Sequence, residues 1–283
     1  MGVPGGKSAA RAVGLTIVFI LFLALAFTFL YPLFFMLANS LKSSADYMAN
    51  VFSLPAPDRW KLDNYSIIVS QFNILLYFRN SAIVTVVTVA LLLALSTFAG
   101  YALAKLRFRG SRPIFLALFA TTFIPAQVTL IPLYVMFARL GLVNNLAAVI
   151  ATYLAAFLPA AILLLASNFR AIPDSMIESA RIDGAGYFST VWSIVVPMGK
   201  PALGICIIFN VISAWNDLFT PLILLPKQEM KTVIVALAGL MSRFSSRPTL
   251  QLTGLIMASL PVLLVYLAFQ KYIVKGLTMG SFR

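Results

Sequence analysis

The stretch RAIPDSMIESARIDGAG, residues 170–186, holds three of the chain's eight acidic residues: Asp174, Glu178 and Asp183. It follows an uncharged run, 140–169, and soon gives way to a run with one charge, 201–226. A bilayer core takes about 20 apolar residues as a helix, so both flanking runs are long enough to cross, and the polar stretch is a loop at a membrane surface. Within it, Pro173 suits a first helical position, where the missing N–H costs nothing. Asp174 then lies in the first turn, favourable to the helix dipole. Met176, Ile177 and Ala180 share one helical face; Asp174, Glu178 and Arg181, at i, i+4 and i+7, share the other. Gly184 and Gly186 end the helix and permit a sharp turn. A second short helical run, 187–196, follows, and Pro197 and Pro201 interrupt it before the next apolar run. The expected product is a helix-turn-helix knuckle. Its polar face has too little basic charge to make a bilayer-surface helix compelling; a mixed-charge face fits protein docking as well.

Working outward, runs 12–41, 80–104, 113–138, 140–169 and 248–270 carry no charge, and 201–226 carries only Asp217. Hydrophobic types make up 61% of the 283 residues and charged types 10%. A soluble domain carries about 25% charged residues. The composition therefore excludes a soluble enzyme, a disordered tail and a collagen-like fibre. The expected fold class is an all-α membrane protein with six transmembrane helices, near 13–38, 80–104, 114–138, 146–168, 201–225 and 250–273. These lie in one transmembrane domain, 12–274, with the knuckle loop at 170–200, an N-terminal segment 1–11 and a tail 275–283. The first apolar run is too long for a signal peptide and reads as an uncleaved first helix.

The net charge of +13 falls between the apolar runs. That pattern anchors loops against phospholipid rather than nucleic acid. Loop 105–112 has Lys105, Arg107, Arg109 and Arg112 and no acid, and the C-terminal end adds Lys271, Lys275 and Arg283, whereas the opposite loop has only Arg139. Positive residues stay inside, so both termini are expected inside. The chain has no His, which excludes a histidine zinc site and a Ser-His-Asp triad. Its lone Cys206 reads as a buried packing residue.

Lipid gives helices no hydrophobic drive to associate, so small residues must allow close approach. Ala94, Ser96, Ala99 and Gly100 supply them in the second run, and Ala147, Ala148, Ala151, Ala155 and Ala156 in the fourth. Pro125, Pro132 and Pro159 sit inside expected spans, as passive kinks or as kinks facing protein or a watery cavity. Asp217 is costly inside a membrane, about 2.5–3.5 kcal/mol on insertion scales. With Trp215 and Asn216 it forms a polar and aromatic cluster able to bond and stack on a sugar; the alternatives are a position near the outer interface or a bond to a neighbouring helix. Stretches 40–79, with a short helix at 62–77, and 222–250 are expected outside.

The knuckle resembles the EAA loop of ABC-importer permease subunits: Glu-Ala-Ala, three residues, Gly, nine residues, Ile, one residue, Leu-Pro. Here Glu178-Ser179-Ala180 is followed by Gly184, Ile194 and Val196-Pro197 at every expected spacing. Ser179 for Ala and Val196 for Leu are the departures. Asp183-Gly184-Ala185, Asn80-Ser81, Pro125-Ala-Gln127 with Pro132-Leu-Tyr134, Trp215-Asn216-Asp217 and Val274-Lys-Gly-Leu-Thr-Met-Gly280 are similar to carbohydrate-importer permeases of the maltose and glycerol-phosphate type. The resemblance covers nearly the whole chain from about residue 12. It is to the shorter, six-span member of a permease pair.

That resemblance implies a permease in a bacterial or archaeal cytoplasmic membrane, moving a sugar or oligosaccharide by alternating access. Its partners would be a second permease, a dimer of ATP-binding subunits carrying ATP and Mg²⁺, a solute-binding protein outside, and lipid. The chain itself would need no cofactor and no metal, and would not be an enzyme; it has no G-x-x-x-x-G-K-[ST] phosphate loop. Glu178, Ser179, Ala180, Arg181, Asp183, Gly184, Ile194 and Pro197 would form the ATPase-coupling site. Asn80, Gln127, Trp215, Asn216 and Asp217 would line the substrate path. An ion-coupled secondary carrier, a glycerol-phosphate or sugar-alcohol importer, and a membrane-embedded enzyme are the competing readings.

Overall fold

A computed structural model gives the structure of the chain and describes residues 5–106, 108–243 and 247–279. Every regular element among them is helical: α1 Gly5–Ser40, α2 Ser44–Ala49, α3 Asp63–Phe72, α4 Ile74–Lys105, α5 Ser111–Thr121, α6 Ala126–Arg139, α7 Leu146–Phe169, α8 Asp174–Ile182, α9 Tyr187–Thr190, α10 Val196–Met198, α11 Lys200–Asn216, α12 Phe219–Leu224, α13 Val233–Arg243 and α14 Pro248–Met279, with short 3₁₀ turns at Pro57–Arg59 and Gln228–Met230. Four helices are long and apolar enough to cross a bilayer: Val13–Ser40, Ile74–Lys105, Leu146–Phe169 and Pro248–Tyr272. The number rises to six if two bent pairs each count as one span.

The helices depart from the expected spans in three places, one of them a bent pair. The third, 114–138, is not one rod: α5 and α6 meet at 96°. Pro125 has no N–H to continue α5 and instead caps α6, and a residue before proline is pushed out of the helical region. The fifth, 201–225, stops at Asn216, because Asp217 turns extended and its Oδ1 accepts the Phe219 N–H at 3.0 Å, which starts α12. The second begins at Ile74 instead of 80. Asn73, at φ 48°, cuts the expected 62–77 helix into the end of α3 and the start of α4. The fourth coincides with α7. Pro132 and Pro159 stay inside intact helices. The tail from 275 is helical to Met279; residues 280–283, residues 1–4 and Arg107 of the basic loop lie outside the described residues.

The chain forms two compact units, Met1–Phe72 with Leu240–Met257, and Asn73–Gly239 with Ala258–Arg283. In the first, side chains close the loops after α1. Asn64 donates to the Ser40 and Lys42 carbonyls at 2.7 and 3.0 Å, and the buried Lys42 ammonium donates to the Asn50 and Val51 carbonyls at 3.0 and 3.3 Å. Burial lowers the Lys42 pKa, and Asp46 opposes that shift.

The second unit is organised along α4. Three core clusters follow one another down it, at Val84 with Val149 and Tyr153, at Leu92 with Ala161 and Cys206, and at Tyr101 with Leu165 and Phe169. Small residues let α7 lie close. A Cβ on Gly100 would sit 3.1 Å from Leu165 Cβ and 3.2 Å from the Ala166 nitrogen.

Candidate functional site: an exposed knuckle and a helix-lined cavity

Pro173 proves to be the cap of α8, one place before the expected first helical position, with Asp174 leading the first turn. The helix ends in a Schellman motif. Gly184 takes φ +82°, its N–H donates to the Arg181 carbonyl at 3.0 Å, and the Ala185 N–H reaches back to the Ala180 carbonyl at 2.8 Å. Gly184 is there for its left-handed backbone and not for space, because nothing lies within 4 Å of its absent Cβ.

The second arm runs from Tyr187 to Met198 and contains a π turn, Val191–Val195, closed by the Val196 N–H to the Val191 carbonyl. Pro197 cannot donate to the preceding turn, and the wider turn takes up the slack. An 81° bend then leads into α11. Gly199 at the bend is needed for space: a Cβ would lie 2.5 Å from the Phe169 ring and 2.8 Å from the Val195 carbonyl oxygen.

The two arms divide their apolar residues. Ile177 is buried with Tyr101, Phe169, Ile172, Val191 and Val195, and Ile194 packs on that cluster. Burying an Ile in this way is worth about 1.5–3 kcal/mol. Met176, expected beside Ile177, is exposed: one residue turns the side chain by a quarter of the helix and off the cluster. Glu178, Ser179, Arg181 and Asp183 are exposed, and Ala180 is half-buried. Among the described residues Arg181 and Asp183 do not pair with each other. Ile182 is 86% exposed at the tip, and Phe188 and Trp192 are exposed on the second arm.

Lys105 was read from the sequence only as an orienting charge. Its side chain is 7% exposed and pairs with Asp174 at 2.7 Å. It also donates to the Arg170 carbonyl at 3.2 Å and to the Ile172 carbonyl. Residues 65–69 apart in sequence meet there, and no local pattern announces it.

The other feature of this unit is a cavity of about 690 Å³ bordered by α5, α6, α7, α11 and α12. Gln127, Asn216 and Asp217 line it. Trp215 and Asn80 do not. Trp215 is buried, donates to the Ala258 carbonyl at 3.1 Å and packs on Phe78. Asn80 donates to the Glu229 and Lys231 carbonyls at 2.8 and 3.1 Å, and its neighbour Ser81 accepts the Val233 N–H. Both are pinned by structural bonds that sequence alone did not reveal.

The cavity adds residues the sequence reading missed. Tyr153 and Phe157 stack with ring centroids 5.3 Å apart and planes at 14°, and Thr152, Ser213 and Thr220 add hydroxyls. The Tyr153 hydroxyl lies near the Asp217 carboxylate without the geometry of a direct hydrogen bond. Thr152, Ala156, Pro159 and Ala160 recur at i, i+4, i+7 and i+8 on α7, a stripe of modest side chains that leaves the space open.

Residues 92–279 match the family model of the binding-protein-dependent transport system inner membrane component. The chain belongs to this family. It is 31% identical over 262 residues to the arabinooligosaccharides transport system permease protein AraQ of Bacillus subtilis, covering 92% of each chain. It is 32% identical to the diacetylchitobiose uptake system permease protein NgcG of Streptomyces coelicolor, over 89% of this chain and 83% of that one. Its fold matches a chain in the crystal structure of a bacterial ABC transporter that imports the acidic polysaccharide alginate, with TM-score 0.79 and 25% identity, over 96% of this chain and 99% of the other. As an inner-membrane transport component, the chain is a membrane-embedded permease subunit. Family membership decides against both the secondary carrier and the membrane-embedded enzyme.

Proposed function

We propose that this permease is one half of a heterodimeric pore, driven by two ATP-binding subunits and fed by an extracytoplasmic solute-binding protein, that imports a sugar or oligosaccharide. The observation that carries the proposal is the knuckle: a rigid turn whose tip, with Glu178, Arg181 and Ile182, is left facing out while its base is packed into the helices. In this reading Glu178 pairs with a basic group or backbone donors in the ATPase cleft. Ser179 and Arg181 border that contact, and Asp183 braces the turn. Ala180, Ile194 and Pro197 keep the two arms in register, and Gly184 lets the turn enter the cleft. ATP and Mg²⁺ belong to the ATPase subunits. The Lys/Arg bias supports both termini and the knuckle facing a bacterial or archaeal cytoplasm.

The cavity is the proposed substrate path. Amides and a carboxylate at Gln127, Asn216 and Asp217 suit sugar hydroxyls, and the half-buried Phe157 ring, backed by the buried Tyr153, offers an aromatic wall. The oligosaccharide substrates in the names of the two relatives support a carbohydrate. The test is copurification of the chain, expressed with its genomic neighbours, as native and as Glu178→Lys. Recovery of an ATPase subunit and a second permease with the native chain, and loss of the ATPase with the variant, is the expected result. A lone chain in both cases overturns the proposal.

A further inference from the structure

An ammonium has three N–H donors and no acceptor, and at Lys105 each donor has a partner. The Arg170 carbonyl belongs to the cap of α7, where a helix leaves its final carbonyls without intrahelical partners, and the Ile172 carbonyl lies in the turn that follows. A cation placed there is also favoured by the α7 dipole. The third partner, Asp174, is the first residue of α8. One buried charge therefore joins the end of α4, the end of α7 and the start of the knuckle. The second arm is fastened to the same two turns of α4: the Tyr187 hydroxyl donates to the Phe98 carbonyl at 2.7 Å, and Tyr101 packs against Ile177, Val191 and Val195. At the other end of α4, Asn80 and Ser81 hold the 229–233 backbone. Some 24 residues of unbroken helix separate Ser81 from Lys105, about 36 Å at 1.5 Å per residue.

We infer that Lys105 is a positioning residue that locks the coupling knuckle to α4, so that displacement of the knuckle moves α4 as a rod and reaches the loop at 229–233. A lysine serving only to orient the chain in the membrane would sit in water. This one has a side chain only 7% exposed, and two of its three contacts are to backbone carbonyls, which stay in place whatever side chain stands at 170 or 172. The inference rests on the reading of the knuckle as the ATPase-coupling element.

The test uses the complete complex reconstituted in lipid and measures ATP hydrolysed per substrate moved, together with amide hydrogen exchange in 170–182. Lys105→Met is expected to raise the ATP-to-substrate ratio on the order of tenfold and to speed exchange in 170–182, and Lys105→Arg to restore most of both. Asp174→Asn, a change at an acid 72% exposed, keeps the two carbonyl bonds and is expected to give a smaller rise in a fully folded protein. Faster exchange with a native ratio would make Lys105 a local staple and overturn the inference, as would loss of the ATPase subunit that Lys105→Arg does not restore. The underlying reading fails separately: if Glu178→Lys leaves ATPase copurification intact, the knuckle is not the docking element, whatever Lys105 does. If copurification follows Glu178 and Lys105→Met moves substrate at the native ratio, only the role of Lys105 is lost.

Discussion

The knuckle and the cavity belong to the same compact unit and solve opposite problems. At the knuckle, side chains close on one another: a buried lysine fills its three donors, Gly199 sits where a methyl group would strike a ring, and eight buried apolar residues, from Tyr101 on α4 to Ala202 on α11, share one cluster. Around the cavity, side chains stop short. Alanines 155, 156 and 160 and five threonines line the space, and the helices around them are broken at Pro125 and at Asp217. In the proposed reading the knuckle passes on a displacement, and its over-determined packing suits that, because packed cores transmit strain. The proposed substrate path, which would admit a changing occupant, has broken helices whose backbone can face a cavity.

The contrast can be broken experimentally, most severely at the turn. Gly184→Val places a β-branched residue at φ +82°, where a non-glycine residue costs about 1–2 kcal/mol. Transport is expected to collapse while the chain remains in the membrane; uptake assayed beside membrane abundance checks this, and normal uptake would remove Gly184 from the coupling site. Gly199→Ala is expected to destabilise the knuckle end by about 1–3 kcal/mol through overpacking against Phe169, read as a lower thermal midpoint of the purified complex. An unchanged midpoint would mean that this end is looser than its contacts imply.

At the cavity, Asp217→Asn keeps an acceptor for the Phe219 N–H and removes only the charge. Uptake is expected to drop several-fold with ATPase copurification unchanged. Equal uptake would confine Asp217 to its turn. The smallest effect belongs to Trp215→Phe. Losing the bond to the Ala258 carbonyl is expected to cost about 1 kcal/mol of stability with the KM for transport unchanged. A raised KM would instead bring Trp215 into the substrate path and blur the separation between packed and open regions.

Much of this was legible in the chain. Uncharged runs gave the helices, and the spacing from Glu178 to Pro197 gave the knuckle, its turn at Gly184 included. The five residues assigned from the sequence to a substrate path do not all meet in the cavity. Gln127, Asn216 and Asp217 line it, but Trp215 and Asn80, equally suggestive by residue type, are bound up elsewhere. Residue type says what a side chain can bond; it does not say which partner reaches it first. Tyr153 and Phe157 were passed over because aromatic residues on an apolar helix carry no local mark of facing a cavity.

The sequence by itself determined the medium and the local elements, because hydrophobic run length, helical period and the backbone demands of proline and glycine act over a few residues. Tertiary structure alone decided which polar groups meet. Lys105 and Asp174 are 69 positions apart, and Asn80 and Glu229 are 149 apart. Such pairings depend on how α4, α7 and the loops pack, and the energy of a buried charge or amide is set by the partners that packing brings within 3 Å, which no stretch of sequence contains.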